Sequence, residues 1–441
     1  MAQDLTSGNI TKSLLKFALP LMAGNLLQQF YNIADTWVVG RFLGADALAA
    51  VGSSYTLMVF LTSILLGLCM GSGAFFSIQY GKKDFDRLKN SFFLSFILIG
   101  VITMILNVLV FAGMDGILVF MRVPGELVLL MKEYLFYVFW GIFATFLYNY
   151  FANLLRAVGD SVTPLIFLAV CVILNIILDL LFVLVLHWGV KGAAIATTLS
   201  QYVSGAGIFL YYYIRFPGLR VQRRHMHGNR SILKEISGLS VLTCVQQSVM
   251  NLGILMVQGL VNSFGTAVMA AFAAAVKIDS FAYMPVQDFG NAFSTFIAQN
   301  FGAGKKERIR SGIRSALSVS VLFSLAAGVF VFLTAPQLLS FFIDASRPDI
   351  IAIGTDYLRI EGSFYFGIGL LFLLYGYFRA VNRPGVSVVL TMISLGTRVA
   401  LAYLLSAIPS VGVTGIWVSI PIGWTLADIT GFILMRSSLK R

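Results

Sequence analysis

Twelve apolar stretches of about twenty residues or more organise this chain. They run at about 14–38, 48–79, 91–113, 133–156, 162–186, 190–214, 235–260, 269–300, 312–335, 354–378, 385–408 and 411–435. At 1.5 Å per residue, each is long enough to cross roughly 30 Å of hydrocarbon as a helix. Lipid offers no hydrogen bonds to the backbone, so a spanning segment must satisfy its own N–H and C=O groups, and a continuous apolar run does so as an α-helix. The expected fold class is therefore an all-α integral membrane protein with twelve transmembrane helices. The second and eighth stretches exceed the minimum and are expected to tilt or to extend beyond the bilayer. Composition agrees: 58% of residues are hydrophobic and 11% charged, against roughly 25% charged in soluble domains.

The net charge of +12 has a topological explanation. With the N-terminus placed inside, the inner segments hold 23 Lys and Arg and the outer ones six, and Lys277 and Arg398 fall within spans. This is the positive-inside pattern, and it places both termini in the cytoplasm. It also accounts for the basic charge without a nucleic-acid partner. The first ten residues, MAQDLTSGNI, are polar and the first stretch is long enough to span. That stretch is expected to act as an uncleaved insertion signal. The three cysteines, Cys69, Cys171 and Cys244, lie in apolar runs and read as small core residues rather than a disulfide framework.

The two sets of six stretches resemble each other. At a spacing of 221, Gly44 falls on Gly265, Ala49-Ala50 on Ala270-Ala271, Gly81 on Gly302 and Arg87 on Arg308. At a spacing of 223, Tyr134-Leu135 falls on Tyr357-Leu358, Arg156-Ala157-Val158 on Arg379-Ala380-Val381, and Gly189-Val190 on Gly412-Val413. Six is even, so both copies insert the same way up and relate by an axis along the membrane normal. The expected organisation is an N-lobe at 1–220, a cytoplasmic basic linker at 221–234 and a C-lobe at 235–441: two pseudo-symmetric six-helix lobes around a central cavity. His225 and His227 of the linker lack further metal ligands nearby and read as part of a solvated basic loop. Such duplication points to a secondary transporter, although channels and membrane-embedded enzymes can also be duplicated.

Ionisable residues inside spans are costly and mark functional sites by default. Asp35 and Asp179 share a depth: 19 residues past Lys16 and 15 past Pro164 place them roughly 28 and 22 Å along their helices. Asn175 lies four residues before Asp179, on the same helix face. Thr197 enters the sixth stretch near the same level, and Tyr134 at the start of the fourth could close the cluster. Asp35, Asn175, Asp179 and Thr197 offer oxygens suited to a small hard cation such as Na⁺. Two close carboxylates in a low dielectric cannot easily both ionise, so a shared proton is the other reading. In the second set, Lys277, Asp279, Asp288, Glu361 and Arg398 are secondary candidates, with Lys277 a possible partner for Asp279 or Glu361 through another helix. Asp428 reads as a boundary residue. Pro20 reads either as a helix-start proline or as a kink in the first helix. Gly67, Gly71 and Gly73 permit close helix packing.

No enzyme chemistry emerges from these residues. Gly302-Ala303-Gly304-Lys305 superficially matches a phosphate loop, but Gln299 and Lys306 stand where the pattern needs Gly and Ser or Thr. No clustered His or Cys ligands and no Ser-His-Asp set occur at one depth. No cofactor is expected beyond a coupling ion.

The segment ALPLMAGNLLQQFYNIADTWVVGRFLGADALAAVG at 18–52 resembles the first-helix signature of multidrug and toxic compound extrusion (MATE) transporters. AQNFGAGKKERIRSG at 298–312, LLRAVGDSVTP at 154–164 and LNIILDLLF at 174–182 resemble other motifs of that family, and the resemblance covers nearly the whole chain. It is closest to the mostly prokaryotic branch that keeps its cation site in the N-terminal lobe. The resemblance implies antiport at the plasma membrane by a monomeric carrier: lipophilic, often cationic compounds leave as Na⁺ or H⁺ enters. It assigns Asp35, Asn175 and Asp179, and less directly Thr197 and Tyr134, to cation or proton coupling, and Pro20 to a bend of the first helix. Another branch uses acids of the seventh and tenth helices; here the seventh stretch has no span-buried acid and Glu361 is the distant candidate. The alternatives are a flippase for a lipid-linked saccharide, whose diphosphate would favour a cationic cavity, and a passive channel or membrane scaffold.

Overall fold

The computed structural model describes every residue except 1, 2, 121, 122, 124, 345 and 441, and the side chains of all of these except 45, 56, 120, 255 and 440. Arg122 and Arg441, two of the basic residues used to assign orientation, thus lie outside the described residues. The described residues form helices and loops, with no strand among them. The first half contains α1 (Ile10–Phe42), α2 (Ala45–Lys82), α3 (Phe85–Ala112), α4 (Met114–Phe120), α5 (Gly125–Trp140), α6 (Ile142–Ala157), α7 (Val162–Asp179) and α8 (Gly189–Arg215). The second contains α9 (Arg230–Asn262), α10 (Thr266–Gly302), α11 (Lys306–Ser340), α12 (Pro348–Ser363), α13 (Tyr365–Ala380), α14 (Pro384–Ser406) and α15 (Thr414–Lys440).

Twelve crossings emerge from these fifteen helices. Among the described residues, nine helices are long and apolar enough to cross a bilayer singly. Two bent pairs, α5 with α6 and α12 with α13, cross as broken spans with bends of 42° and 52°. The remaining one is α1, whose 33 residues cover about 50 Å but carry Asn25, Gln28, Gln29, Asn32 and Asp35 along an otherwise apolar run. The two bends fall at Gly141 and Phe364, 223 residues apart, so each repeat breaks its fourth span at the same place. A Cβ at Gly141 would lie 2.7 Å from Gln201 Oε1 and 3.0 Å from the Val138 carbonyl oxygen, so a larger residue at the bend of the first repeat would require the Gln201 side chain to shift. Helices α2 and α10, with 38 and 37 residues, are the overlong spans anticipated above.

The chain divides into two compact units: Met1–Asp4 with Leu19–Cys244, and Leu5–Ala18 with Val245–Arg441. These bounds differ from a plain cut at 221–234 in two places. The first turns of α1 belong with the second unit, and the first turns of α9 belong with the first. Polar side chains explain both exchanges. In the second unit, Arg308 donates to the carbonyls of Leu5, Ser7 and Gly8, Lys305 to that of Thr6, and Asn300 to that of Leu5. In the first unit, Arg87 pairs with Glu235 of α9 at 2.6 Å, and Asn90 donates to the carbonyls of His225 and His227. Because Arg87 and Arg308 are repeat equivalents, each repeat holds the segment leading into the first helix of the other.

Glycines let α9 sit close on α2. A Cβ on Gly67 would collide with the Cys244 backbone and one on Gly71 with that of Leu239 and Ser240, while Gly73 abuts Asn153 of α6. Burying such contacts in lipid relies on van der Waals packing rather than on expulsion of water. Within the largely aliphatic core of the first unit, the rings of Phe76, Phe92, Phe96, Phe146, Tyr150 and Phe151 meet edge to face or tilted.

Two local expectations need correction. Pro20 is not at a helix start: α1 begins at Ile10, and Pro20 lies inside it, where it removes the bond to the Lys16 carbonyl. It stands two residues past the point at which α1 passes from one unit to the other. His225 is not solvated: it is buried, its Nε2 lies 2.9 Å from Asp86 Oδ1, and its Nδ1 accepts from the Gln222 N–H. The linker is thereby anchored to α3 through His225, while Arg223, Arg224 and His227 around it are exposed, as expected of a solvated basic loop.

Candidate functional site

The first unit gathers its polar side chains where α1, α5, α7 and α8 converge. Tyr31 and Asp35 are four residues apart on α1, and Asn175 and Asp179 four apart on α7, so each pair shares a helix face. Thr197 comes from α8 and Tyr134 from α5. Asp179 is the last residue before α7 changes into a π-helical turn at Leu180–Val185, a distortion that recurs at functional sites because it re-aims side chains. All five sequence-derived candidates, Asp35, Asn175, Asp179, Thr197 and Tyr134, are brought together and buried; Asn175 and Asp179 have no exposed surface at all (0%).

The contacts define one cluster. Asp35 and Asp179 are in direct side-chain contact, and Tyr31 and Tyr134 lie within electrostatic reach of both. The Tyr31 hydroxyl is 3.3 Å from that of Thr197. The Asn175 amide satisfies its neighbours when its nitrogen donates to Asp179 Oδ2 at 2.9 Å and its oxygen accepts from the Thr197 hydroxyl at 3.3 Å and N–H at 3.2 Å. One oxygen of each acid, Asp35 Oδ1 and Asp179 Oδ1, is buried with no donor among the described residues. Nor does any Lys or Arg among them lie within ion-pair distance of either acid. Two touching carboxylates without a counter-charge cannot both remain ionised in such surroundings. The arrangement is chemically complete only with a positive charge added, as a proton or as a small cation on hard oxygens.

Tyr31 escaped the sequence reading. Its signal was available: it sits one turn before Asp35, and a hydroxyl four residues from a span-buried acid shares its face.

The second unit carries a different cluster. Asp279 of α10 accepts from the Tyr357 hydroxyl at 3.2 Å and also faces Tyr365 at the start of α13. Glu361, one turn after Tyr357 on α12, is fully buried, and neither of its oxygens has a partner among the described residues. Arg398 of α14 lies within electrostatic reach of both acids. An aromatic wall closes one side: Phe272 stacks on Trp417 with centroids 5.4 Å apart, and Tyr357 meets Trp417 edge-on at 5.0 Å.

The other secondary candidates lie elsewhere. Lys277 does not pair with Asp279 or Glu361; its ammonium sits over the Phe342 ring, 5.9 Å from the centroid. Asp288 is buried two and a half turns further along α10. Asp428 is not a boundary residue: it is buried in α15, next to Gly367, and its Oδ1 has no partner among the described residues.

Comparison with known proteins places these features in a family. The MatE family model matches the chain twice, at residues 20–181 and 240–404, once in each repeat. The probable multidrug resistance protein YpnP of Bacillus subtilis (strain 168) is 30% identical over 438 residues, covering 99% of this chain and 97% of its own. The probable multidrug resistance protein NorM of Thermotoga maritima is 29% identical, covering 98% and 91%. Among solved structures, a MOP superfamily transporter from Pyrococcus furiosus superposes with a TM-score of 0.92 at 25% identity over 100% of both chains. With a duplicated twelve-helix architecture, a family match in each half and relatives aligned over nearly their full length, this chain belongs to the MatE family of multidrug and toxic compound extrusion transporters.

Proposed function

We propose that this protein is a cation-coupled antiporter of the plasma membrane that exports lipophilic, mainly cationic, drugs and toxic compounds as Na⁺ or H⁺ enters. The observation that carries this reading is the buried Asp35–Asp179 pair, which has no Lys or Arg within ion-pair distance among the described residues. Such a pair binds a cation or proton strongly when reachable from one side and must release it to the other, which is what coupling to a gradient needs. The names of its relatives, multidrug resistance proteins, support the substrate class.

The mechanism is alternating access. Coupling requires the cation and the drug to bind differently to two states of the carrier, since a ligand with equal affinity for both shifts nothing. In this reading Asn175 and Thr197 orient Asp179, Tyr31 and Tyr134 complete the cation's shell, and Pro20 allows α1 to bend as Asp35 on the same helix gains or loses its positive partner. Both termini face the cytoplasm, as the distribution of Lys and Arg supports, and the single chain is the working unit.

Reconstitution tests this directly. Dye-loaded proteoliposomes are given a Na⁺ gradient or a pH gradient separately. One of the two is expected to drive uphill efflux, and Asp35→Asn combined with Asp179→Asn should abolish it while leaving the protein monodisperse. Full-rate efflux by that double variant would sink the proposal.

A further inference from the structure

The two repeats place their charges at different positions of a shared frame. At the spacings that align them, Tyr134 corresponds to Tyr357 and Asn175 to Arg398. The positions of Asp35 and Asp179 are taken by Met256 and Ala402 in the second repeat, and those of Asp279 and Glu361 by Met58 and Val138 in the first. Each repeat therefore buries two acids near the equivalent tyrosine, but on different helices: α1 and α7 in the first unit, α10 and α12 in the second. The first unit sets a neutral amide against Asp179; the second brings a guanidinium within electrostatic reach of both acids without a direct ion pair, its buried Nε having no partner among the described residues.

The charge count differs accordingly. With both acids ionised, the first cluster carries two negative charges and no positive one. The second carries Asp279, Glu361 and Arg398, one net negative charge. The remaining groups facing it are the hydroxyls of Tyr357 and Tyr365 and the rings of Phe272 and Trp417, none of them cationic. Lys277 is exposed and turned to Phe342, and the buried Arg379 of α13 donates to Ser294 and Asn291. Room for the arginine comes from α15, where Gly423 lies 3.4 Å from Arg398 Cβ, measured from where its own Cβ would stand. An arginine stays protonated at any relevant pH, so its charge cannot leave the site.

We propose that Arg398 is a tethered counter-charge that removes one exchangeable cation from the acid cluster of the second repeat, leaving the first repeat with the greater demand for ions. The proposal rests on reading Asp35 and Asp179 as an ion-binding pair, and the position of Asn175 in the first repeat shows what the cluster looks like without the tether. Replacing Arg398 by the residue of the equivalent position should expose a monovalent-cation or proton site at Asp279 and Glu361.

The test uses the full chain, purified, in the Asp35→Asn/Asp179→Asn background, where the first site is silent. Equilibrium binding of radioactive Na⁺ and proton uptake between pH 5 and 9 are measured with and without Arg398→Asn. The variant is expected to gain about one saturable cation or one titrating proton per chain. Glu361→Gln added to it should remove the gain, and Arg398→Lys should show none. No gain in either measurement with a monodisperse Arg398→Asn protein overturns the proposal, as does a gain that survives Glu361→Gln or appears with Arg398→Lys. If Arg398→Asn is not monodisperse, Arg398→Gln carries the same test with a longer neutral side chain. Ion binding that persists in the background protein itself would instead count against the reading of the first site, so the two failures are distinct.

Discussion

The acid clusters of the two repeats look alike in inventory and differ in what completes them. Both contain two buried carboxyls and a repeat-equivalent tyrosine. In the first, Asp35 and Asp179 touch, and their nearest polar neighbours are an amide and hydroxyls. In the second, Asp279 is held by a tyrosine and an arginine stands near both acids. The lesson is that duplication conserved the helical frame and the breaks in it, while the charges moved freely. A buried carboxylate needs only some positive partner within reach. A protein can supply it covalently, as an arginine, or take it from solution, and only the second choice ties the site to an ion gradient.

The comparison breaks most sharply at Asp179. Asp179→Asn alone is expected to lower gradient-driven dye efflux in proteoliposomes by at least about a hundredfold, since an uncompensated transition between coupled states loses several kcal/mol of ion-binding energy. Glu361→Gln should cost far less in the same assay; equal losses at the two positions would erase the distinction between the repeats.

Next in size is the transplant of the tether. Asn175→Arg puts the guanidinium of the second repeat into the first and should abolish the ion dependence of conformation. Accessibility of a cysteine introduced near the cluster, read by thiol labelling, is expected to stop responding to Na⁺ or pH. A response of wild-type amplitude would show that the fixed charge does not substitute for the ion.

A third expectation concerns packing rather than charge. Trp417→Ala removes the ring that stacks on Phe272 and meets Tyr357 edge-on and should destabilise the protein by about 3–5 kcal/mol, visible as a lower Tm in a thermal-shift assay. Ion dependence of efflux should persist at temperatures where the variant is folded.

The smallest effect is at Tyr31. Loss of one neutral hydrogen bond is worth about 0.5–1.5 kcal/mol, so Tyr31→Phe should raise the half-saturating ion concentration by roughly two- to tenfold. Tyr357→Phe should leave that concentration unchanged, because its hydroxyl serves Asp279 in the other cluster.

Much of this molecule was legible from its residues. Hydropathy set the number of crossings, because a bilayer admits few backbone solutions. Repeat spacing set the six-plus-six plan. Helical periodicity brought Asn175 and Asp179 to one face, and depth along the helices joined them to Asp35, Thr197 and Tyr134. These inferences succeed because a membrane supplies a fixed thickness against which position along a helix becomes height. Around the axis of a bundle no such ruler exists, and there the reading failed. Nothing in one dimension said that Lys277 turns to Phe342 while Arg398, 121 residues away, faces Asp279 and Glu361. The exchange of the first turns of α1 and α9 between units was equally hidden, since it rests on Arg308 and Arg87 reaching backbone and side-chain partners far away in the chain. The sequence by itself determined the fold class and the duplication and brought the five first-unit candidates to one level, because local hydrophobicity and the bilayer dictate those. Only the tertiary structure decided which charges meet, because that depends on how helices rotate and pack, and that rotation leaves a neutral amide against one acid pair and brings an arginine within electrostatic reach of the other.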